Sequence, residues 1–404
     1  MKILMVNKFL YPNGGSETYI FELGKELTRQ GHQVEYFGME HENRIVGNHA
    51  ESYTSNMDFH TGKLQKLIYP FKIIYSCEAR KKIRAVLRDF KPDIVHLNNF
   101  NYQLTPSIIY EIKAHKIPIV FTAHDYQLVC PNHMMINGRT GKNCEKCLSG
   151  SSINCTKDCC IHGSRVKSML GTMENMLYRC LKAYKKIDLI ICPSHFMEGK
   201  LSRDKRLQNK CVTMHNFIPA LRRAGLEKKE YVLYFGRYSK EKGVETLLSV
   251  CEKLPDISFV FAGKGELQEE IRKVPNIKEV GFKQGEELHS LIEQAAFAVY
   301  PSEWYENGPF SVMEAQALGT PVIGADIGGI PELIVQGKTG EVFESGSGDA
   351  LREKIEDLWR DKEKQQKYAE NCLEHGFDNC EAYCKKLLDK YKKLMKNEKG
   401  AVSA

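Results

Sequence analysis

Long hydrophobic runs are missing from this chain. No uninterrupted apolar stretch approaches the roughly 20 residues that a membrane-crossing helix needs, and the longest candidates, such as Leu189 to Pro193, are strand-sized, which excludes a span. Proline is scarce as well, with 14 residues against 31 glycines. With 42% hydrophobic and 27% charged residues, the composition excludes a disordered chain, a collagen and a short disulfide scaffold. Nor is a secretory leader expected: Met1 to Val6 is too brief for a signal-peptide core, has no small-residue cleavage site, and reads as a buried first strand. What remains is a folded chain of 404 residues, enough for two or three domains at roughly 100–200 residues each.

The net charge of +7 is unevenly shared. Residues 1–190 carry 26 Lys and Arg against 17 Asp and Glu, and the remainder carries 32 against 34. A basic first half suits an anionic partner such as phosphate or a lipid surface, or is a solvated lysine-rich exterior; nucleic acid is not an expected partner. Fourteen cysteines without a secretion signal read as reduced thiols or metal ligands before disulfides, and a cytoplasmic protein is the expectation.

The chain opens as a strand from Lys2 to Asn7, a Gly-containing loop over 8–16, and a helix from Glu17 to Gln30 whose apolar stripe is Tyr19, Ile20, Leu23 and Leu27. Gly31 stops that helix, and Val34 to Phe37 reads as the second strand. Further strands are expected at 94–97, 117–122 and 188–192. After Asn216 to Pro219, a charged, weakly patterned stretch to Glu230 reads as a linker. A second β-α-β start follows, with strands at 231–235, 257–262, 297–300 and 321–324. Residues 349–396 read as helical. The fold class is therefore α/β, with two doubly wound parallel-sheet domains in tandem and ligands expected at strand carboxyl ends, in a cleft between domains.

Three constellations carry chemistry. Asn13-Gly14-Gly15-Ser16-Glu17 joins the first strand to the first helix, where small residues let backbone N–H groups approach an anion; it departs from Gly-x-Gly-x-x-Gly, which disfavours a nicotinamide oxidoreductase. Gly236-Arg237 to Lys242-Gly243 puts two cations, five residues apart, at a strand end, where they can converge on a pyrophosphate. In the segment from Pro301 to Ala315, Glu306 and Glu314 flank the Gly308-Pro309-Phe310 helix start. Carboxylates accept hydrogen bonds from sugar hydroxyls and cannot themselves hold phosphate, so this segment suits a phosphate beside a sugar.

Together with His124-Asp125 after a strand and the Ala-Leu-Gly-Thr-Pro-Val that follows Glu314, these motifs resemble the retaining glycosyltransferase family 4, of GT-B fold, over nearly the whole chain. The resemblance implies two facing Rossmann-like domains: an acceptor-side domain over 1–218 with a Cys-rich insert at about 130–162, a nucleotide-sugar-binding domain over 219–376, and a C-terminal helix over 377–404 packing back on the first. It implies a nucleotide-diphosphate sugar donor, a glycan or lipid-linked acceptor and no catalytic metal. Arg237, Lys242 and the amide of Gly15 would neutralise the leaving diphosphate. Glu314 would bind ribose hydroxyls, Glu306 and the Gly308, Pro309 and Phe310 turn the donor sugar and phosphate. His124 would touch the sugar near its reacting centre, and Phe282 would lie against the base. Competing functions are a nucleotide-sugar epimerase or hydrolase of the same shape and a non-catalytic zinc-bearing binding protein.

Two further segments stand apart. Cys130, Cys144, Cys147, Cys155, Cys159 and Cys160 lie in a Gly/Asn/Ser-rich insert, and their C-x2-C and C-x3-C spacing supplies the ligands of one structural zinc. Cys130, Cys144, Cys147 and Cys159 are the candidate quartet, with Cys155, Cys160 or His162 as substitutes and free or paired cysteines as the competing reading. The basic and apolar stretch over 63–88 reads either as a peripheral contact with anionic lipid at the inner membrane face or as a helix packed on the first domain.

Overall fold

Strands of a parallel sheet are covered on both faces and so read as continuous apolar runs. A computed structural model describes residues 1–56, 72–148, 150–219, 221, 223 and 225–402, the last six by their backbone alone. It divides into two units, one formed by Met1–His215 with the chain from Cys380 onward, the other by Asn216–Asn379. The first unit holds β1 (Lys2–Val6), β2 (Gln33–Phe37), β3 (Ile94–Leu97), β4 (Ile119–Thr122), β5 (Leu189–Cys192) and β6 (Cys211–Thr213), in the order β2-β1-β3-β4-β5-β6. The second holds β7 (Val232–Arg237), β8 (Phe259–Lys264), β9 (Ile277–Glu279), β10 (Phe297–Tyr300), β11 (Val322–Ala325) and β12 (Gly340–Phe343), in the order β12-β11-β10-β7-β8-β9. Every pairing is parallel. Both sheets are the doubly wound kind expected, and each reverses its strand order once, between β1 and β3 and between β7 and β10.

In β7 the two-residue period of a strand sends Val232 and Tyr234 to one face and Leu233 and Phe235 to the other. The first pair packs with Phe259, Phe261, Val244 and Leu247, the second with Val260, Ala298 and Val312. Each large side chain so buried contributes about 1.5–3 kcal/mol relative to exposure. At the end of β7 the chain makes a tight turn over Lys240–Lys242 and enters the helix Val244–Lys253 through Gly243, whose φ is 68°. A Cβ at Gly243 would stand 1.8 Å from the Pro301 carbonyl oxygen. Gly243→Ala therefore meets both a left-handed backbone and a backbone clash, and is expected to lower unfolding stability by about 2 kcal/mol, read as a lower urea midpoint at unchanged slope.

The last helix, Cys380–Val402, returns to the first unit and buries Tyr383, Leu387 and Tyr391 at four-residue steps. Tyr383 Oη lies 2.8 Å from Tyr19 Oη, and Tyr391 Oη 2.5 Å from His96 Nδ1. The part of the 63–88 stretch at 63–71 lies outside the described residues. In the rest, the helix Cys77–Phe90 buries Ala79, Ile83, Val86, Leu87 and Phe90. Its Arg80 and Arg84 hold Glu111 on the helix Ser107–Ala114, at 3.1 and 2.7 Å, and Arg84 foremost draws that carboxyl down to about 2. Packing on the first unit accounts for the apolar side of this helix, and Arg80 and Arg84 are engaged with Glu111. Among the described residues no helix is long and apolar enough to cross a membrane.

Candidate functional site

In an open parallel sheet, the helices on the two sides of the order reversal diverge and leave a crevice at the strand carboxyl ends. In the second unit, β7 and β10 flank that reversal. From their ends come the Arg237 to Gly243 turn and the loop from Pro301 to Pro309, which feeds the helix Phe310–Ala317. These segments, 64 residues apart in sequence, meet where Lys242 Nζ donates to Glu306 Oε1 at 2.5 Å. The same oxygen accepts from Trp304 Nε1 at 2.5 Å, Ser302 Oγ at 2.9 Å and Tyr300 Oη at 3.2 Å. Gly329 N donates to the Glu306 carbonyl at 2.8 Å, so backbone and side chain are both fixed. Burial alone would press Lys242 down, but the Glu306 carboxylate and Tyr300 outweigh it and the ammonium is held well above the usual lysine range. It is charged at any working pH. An ammonium has three hydrogens; with Glu306 and Tyr300 (3.3 Å) as its hydrogen-bond partners among the described residues, one is left for an anionic ligand.

Arg237 sits at the last position of β7 with 68% of its side chain exposed, 3.6 Å from Glu241. Glu241 in turn accepts from Ser239 Oγ at 2.8 Å, and its carbonyl receives Glu303 N at 3.0 Å, which ties the Arg237 turn to the Glu306 loop. The expected Gly308, Pro309 and Phe310 form the entry to their helix, with Pro309 as its N-cap and Asn216 Nδ2 donating to the Gly308 carbonyl at 2.9 Å. Phe282 follows β9 on an exposed loop with Lys264 Nζ 5.0 Å from its ring centre.

Burial pushes the Glu314 carboxyl from an ordinary 4.5 up to about 7. Between those values the folded protein keeps a proton that the unfolded chain has released, so stability falls as pH rises through this window, at about 1.4 kcal/mol per pH unit, and levels off above it. Buried Glu174, pushed up to about 8, extends the fall in the same direction. Thermal melts across that window should show this loss in the unliganded protein, and Glu314→Gln should flatten the part that ends near pH 7.

The first unit has its own reversal between β1 and β3. There Gly14 precedes the helix Gly15–Arg29, and buried Glu17 accepts from Asn7 Nδ2 at 2.8 Å and Ser16 Oγ at 2.9 Å. Asn99 Nδ2 donates to Ser16 Oγ at 2.9 Å. His124, just past β4, has Nε2 2.8 Å from Asn98 Oδ1 and its ring edge-on to Tyr19 at 5.0 Å. Burial presses the imidazole down to about 3, so it is neutral at physiological pH; an amide oxygen can only accept, so Nε2 carries the hydrogen. Asp125, pushed up by burial to about 6, accepts from Gln127 N at 2.8 Å.

Among the expected residues, Lys242 and Glu306 meet directly and Arg237 joins them through Glu241. His124 and Gly15 belong to the first unit. From sequence no role is expected for Tyr300, Ser302 or Trp304, although the last two lie inside the Pro301 to Ala315 segment, nor for Asn7, Asn98 and Asn99, which no spacing signal marks.

The zinc expected from Cys130, Cys144, Cys147 and Cys159 finds no cradle. Among the described residues, no three Cys or His side chains of the insert bring their ligand atoms within 4.8 Å of one another. The thiols are engaged separately: Cys130 donates to Asn132 Oδ1 at 2.8 Å, Cys159 to the Thr156 carbonyl at 3.9 Å, Cys147 to the Ser152 carbonyl at 4.0 Å, and the free thiols of Cys155 and Cys160 hydrogen-bond to each other. Burial pushes Cys130 up to about 12 and Cys147 to about 11, away from the thiolate that zinc requires.

Residues 13–220 match the family model described as Glycosyltransferase Family 4, and residues 220–375 the one described as Glycosyl transferases group 1. The chain is 34% identical over 375 residues to the sulfoquinovosyl transferase SQD2 of Arabidopsis thaliana, covering 86% of this chain and 63% of that one. It therefore spans under two thirds of that relative. It is 25% identical over 286 residues to the uncharacterized glycosyltransferase MJ1178 of Methanocaldococcus jannaschii (69% and 77% covered). To the O-antigen biosynthesis glycosyltransferase WbnH of Escherichia coli it is 29% identical over 185 residues (44% and 51%). Among solved structures, sucrose-phosphate synthase from Thermosynechococcus elongatus superposes with a TM-score of 0.70 at 17% identity, covering 98% and 99% of the two chains. Anabaena Alr3699/HepE in complex with UDP does so with 0.68 at 15% identity, covering 97% and 100%. These two are likenesses of fold.

Proposed function

Because the chain belongs to glycosyltransferase family 4, the retaining transferases of GT-B fold, we propose that it moves a hexosyl group from a nucleotide-diphosphate sugar to a glycan or lipid-linked acceptor. The observation that carries this reading is the Lys242–Glu306 pair beside Arg237 at the strand-order reversal of the second unit. Breaking the bond from the anomeric carbon to the phosphate oxygen leaves a diphosphate of growing negative charge and a sugar with oxocarbenium character. Cations held in place before the reaction stabilise that state more than the ground state. Lys242 supplies a fixed ammonium and Arg237 a forked guanidinium. Members of the family typically work without a metal.

The remaining roles follow the same chemistry. Gly308 and Phe310 present the start of a helix to phosphate, Glu314 accepts from ribose hydroxyls, Glu306 orients Lys242 and the donor sugar, and Phe282 lies against the base. Gly15 gives its amide to the leaving group, and neutral His124 faces the transferred sugar. The acceptor hydroxyl passes its proton to the departing phosphate oxygen on the same face, which retains configuration. The likeness to an O-antigen biosynthesis transferase supports surface-polysaccharide synthesis as the setting.

A panel of nucleotide sugars tested by thermal shift identifies the donor, since a ligand at about 100 times its Kd stabilises the folded state by about 2.7 kcal/mol. The expected result is a rise in Tm with one donor class, lost in Glu314→Ala, and transfer only when an acceptor is added. Conversion of donor alone at the full rate would establish the epimerase or hydrolase instead, and no donor binding at all would leave a binding protein.

A further inference from the structure

The helix Arg165–Cys180 is turned the wrong way for a core helix. Its buried side carries Ser168, Gly171, Thr172, Glu174 and Asn175, with Tyr178 as its large apolar group. Its outer side carries Val166, Met169, Met173 and Met176, exposed by 64%, 46%, 49% and 42%, and runs on through exposed Cys180 to Leu181. At 100° per residue, positions 166, 169, 173, 176 and 180 fall within an arc of about 80°, so this is one continuous stripe. The polar side is anchored. Ser168 Oγ accepts from Ile161 N at 2.9 Å, Thr172 Oγ1 donates to the Ser152 carbonyl at 3.0 Å, and Asn175 Oδ1 accepts from Ser152 Oγ at 2.6 Å. These bonds fix the rotation of the helix and hold its apolar face outward.

Cations stand at both ends of the stripe. Arg165 and Lys167 are exposed at the first turn, and Lys182, Lys185 and Lys186 are exposed beyond the last. Lys186 Nζ lies 5.8 Å from the Tyr110 ring, whose hydroxyl donates to the Leu181 carbonyl at 3.0 Å, which sets that ammonium beside the end of the stripe. The one carboxylate of the helix, Glu174, is 1% exposed, so the outer face carries no negative charge. A second copy of this helix would set cations against cations in either a parallel or an antiparallel pairing. An anionic lipid surface satisfies both the apolar stripe and its basic ends.

We propose that Arg165–Cys180 docks the protein on anionic membrane, with Val166, Met169, Met173 and Met176 inserted among the acyl chains and the flanking cations at the headgroups. This extends the transfer reading by naming the surface at which a lipid-linked acceptor is met. The docking itself does not depend on donor chemistry.

The test floats the full chain with vesicles of neutral lipid and of neutral plus anionic lipid, without donor. Wild type should bind the anionic vesicles, more weakly as salt rises. The combined Met169→Gln, Met173→Gln and Met176→Gln variant should bind about tenfold less tightly, and so should Lys182→Gln with Lys185→Gln and Lys186→Gln. Unchanged melting and donor-induced Tm shift verify the fold, and Met173→Gln alone, at an exposed site, gives the same direction should the triple variant fail to express. Wild type that stays off anionic vesicles overturns the proposal, as does equal binding by the methionine variants. A dimer in solution that those variants abolish overturns it too. Because donor is absent, failed docking leaves the transfer reading standing, and failed transfer leaves docking standing.

Discussion

Arg237→Ala is expected to lower turnover by about 100-fold or more, about 2.7 kcal/mol of transition-state stabilisation, with the fold intact. The side chain is 68% exposed and, among the described residues, its one ion pair, to Glu241, is 3.6 Å long, so its removal should change unfolding stability by no more than about 0.5 kcal/mol. The effect on rate is large because charge on the departing diphosphate grows as the glycosidic bond breaks, and a cation already in position needs no reorganisation at that moment. The loss should fall mainly on kcat. Arg237→Lys restores the charge without the fork and should recover only part of the rate. Steady-state kinetics with the donor identified by thermal shift, run beside a urea melt, separates the two effects; near wild-type turnover in Arg237→Ala would refute its role.

The central strands were legible because burial on both faces leaves a local record. Ile94–Leu97 and Phe297–Tyr300 are apolar at every position but His96, and they stand where the sequence puts them. Cys211–Thr213 and Ile277–Glu279 escaped because three residues leave too short a run, and Ile277–Glu279 strings together Ile, Lys and Glu and is nowhere fully buried; Gly340–Phe343 escaped because its Gly-Glu start breaks the apolar run. Spacing alone misled in the insert. A C-x2-C step brings two thiols close along the chain, but only backbone geometry decides whether four of them converge, and here Asn132 and two carbonyls take the thiols instead. The helix Arg165–Cys180 makes the same point in reverse. Its methionine stripe has the period of a core face, and nothing local says that Ser168, Thr172 and Asn175 are the residues anchored inward. The candidate site was legible in its cations and carboxylates, yet not in its pairing, since Lys242 and Glu306 meet only because β7 and β10 are neighbours.

That pairing predicts strong energetic coupling. Lys242 and Glu306 keep only 16% and 7% of their side chains exposed, and removing one member of such a pair typically costs about 3–5 kcal/mol because the other charge is left without its partner. The two single variants should differ, however. Lys242→Met leaves a carboxylate that still accepts from Trp304, Ser302 and Tyr300, which places its cost near the lower end. Glu306→Gln leaves a buried ammonium facing an amide oxygen that the same three donors already crowd, and should be the more destabilising. The double variant removes both charges together, so its loss should be smaller than the sum of the singles by about 2 kcal/mol. All three should turn over about 100-fold or more slowly, since each lacks either the ammonium or the carboxylate that positions it. Urea denaturation of the four proteins measures the coupling, and losses that add to within about 0.5 kcal/mol would mean that the pair acts as two independent side chains.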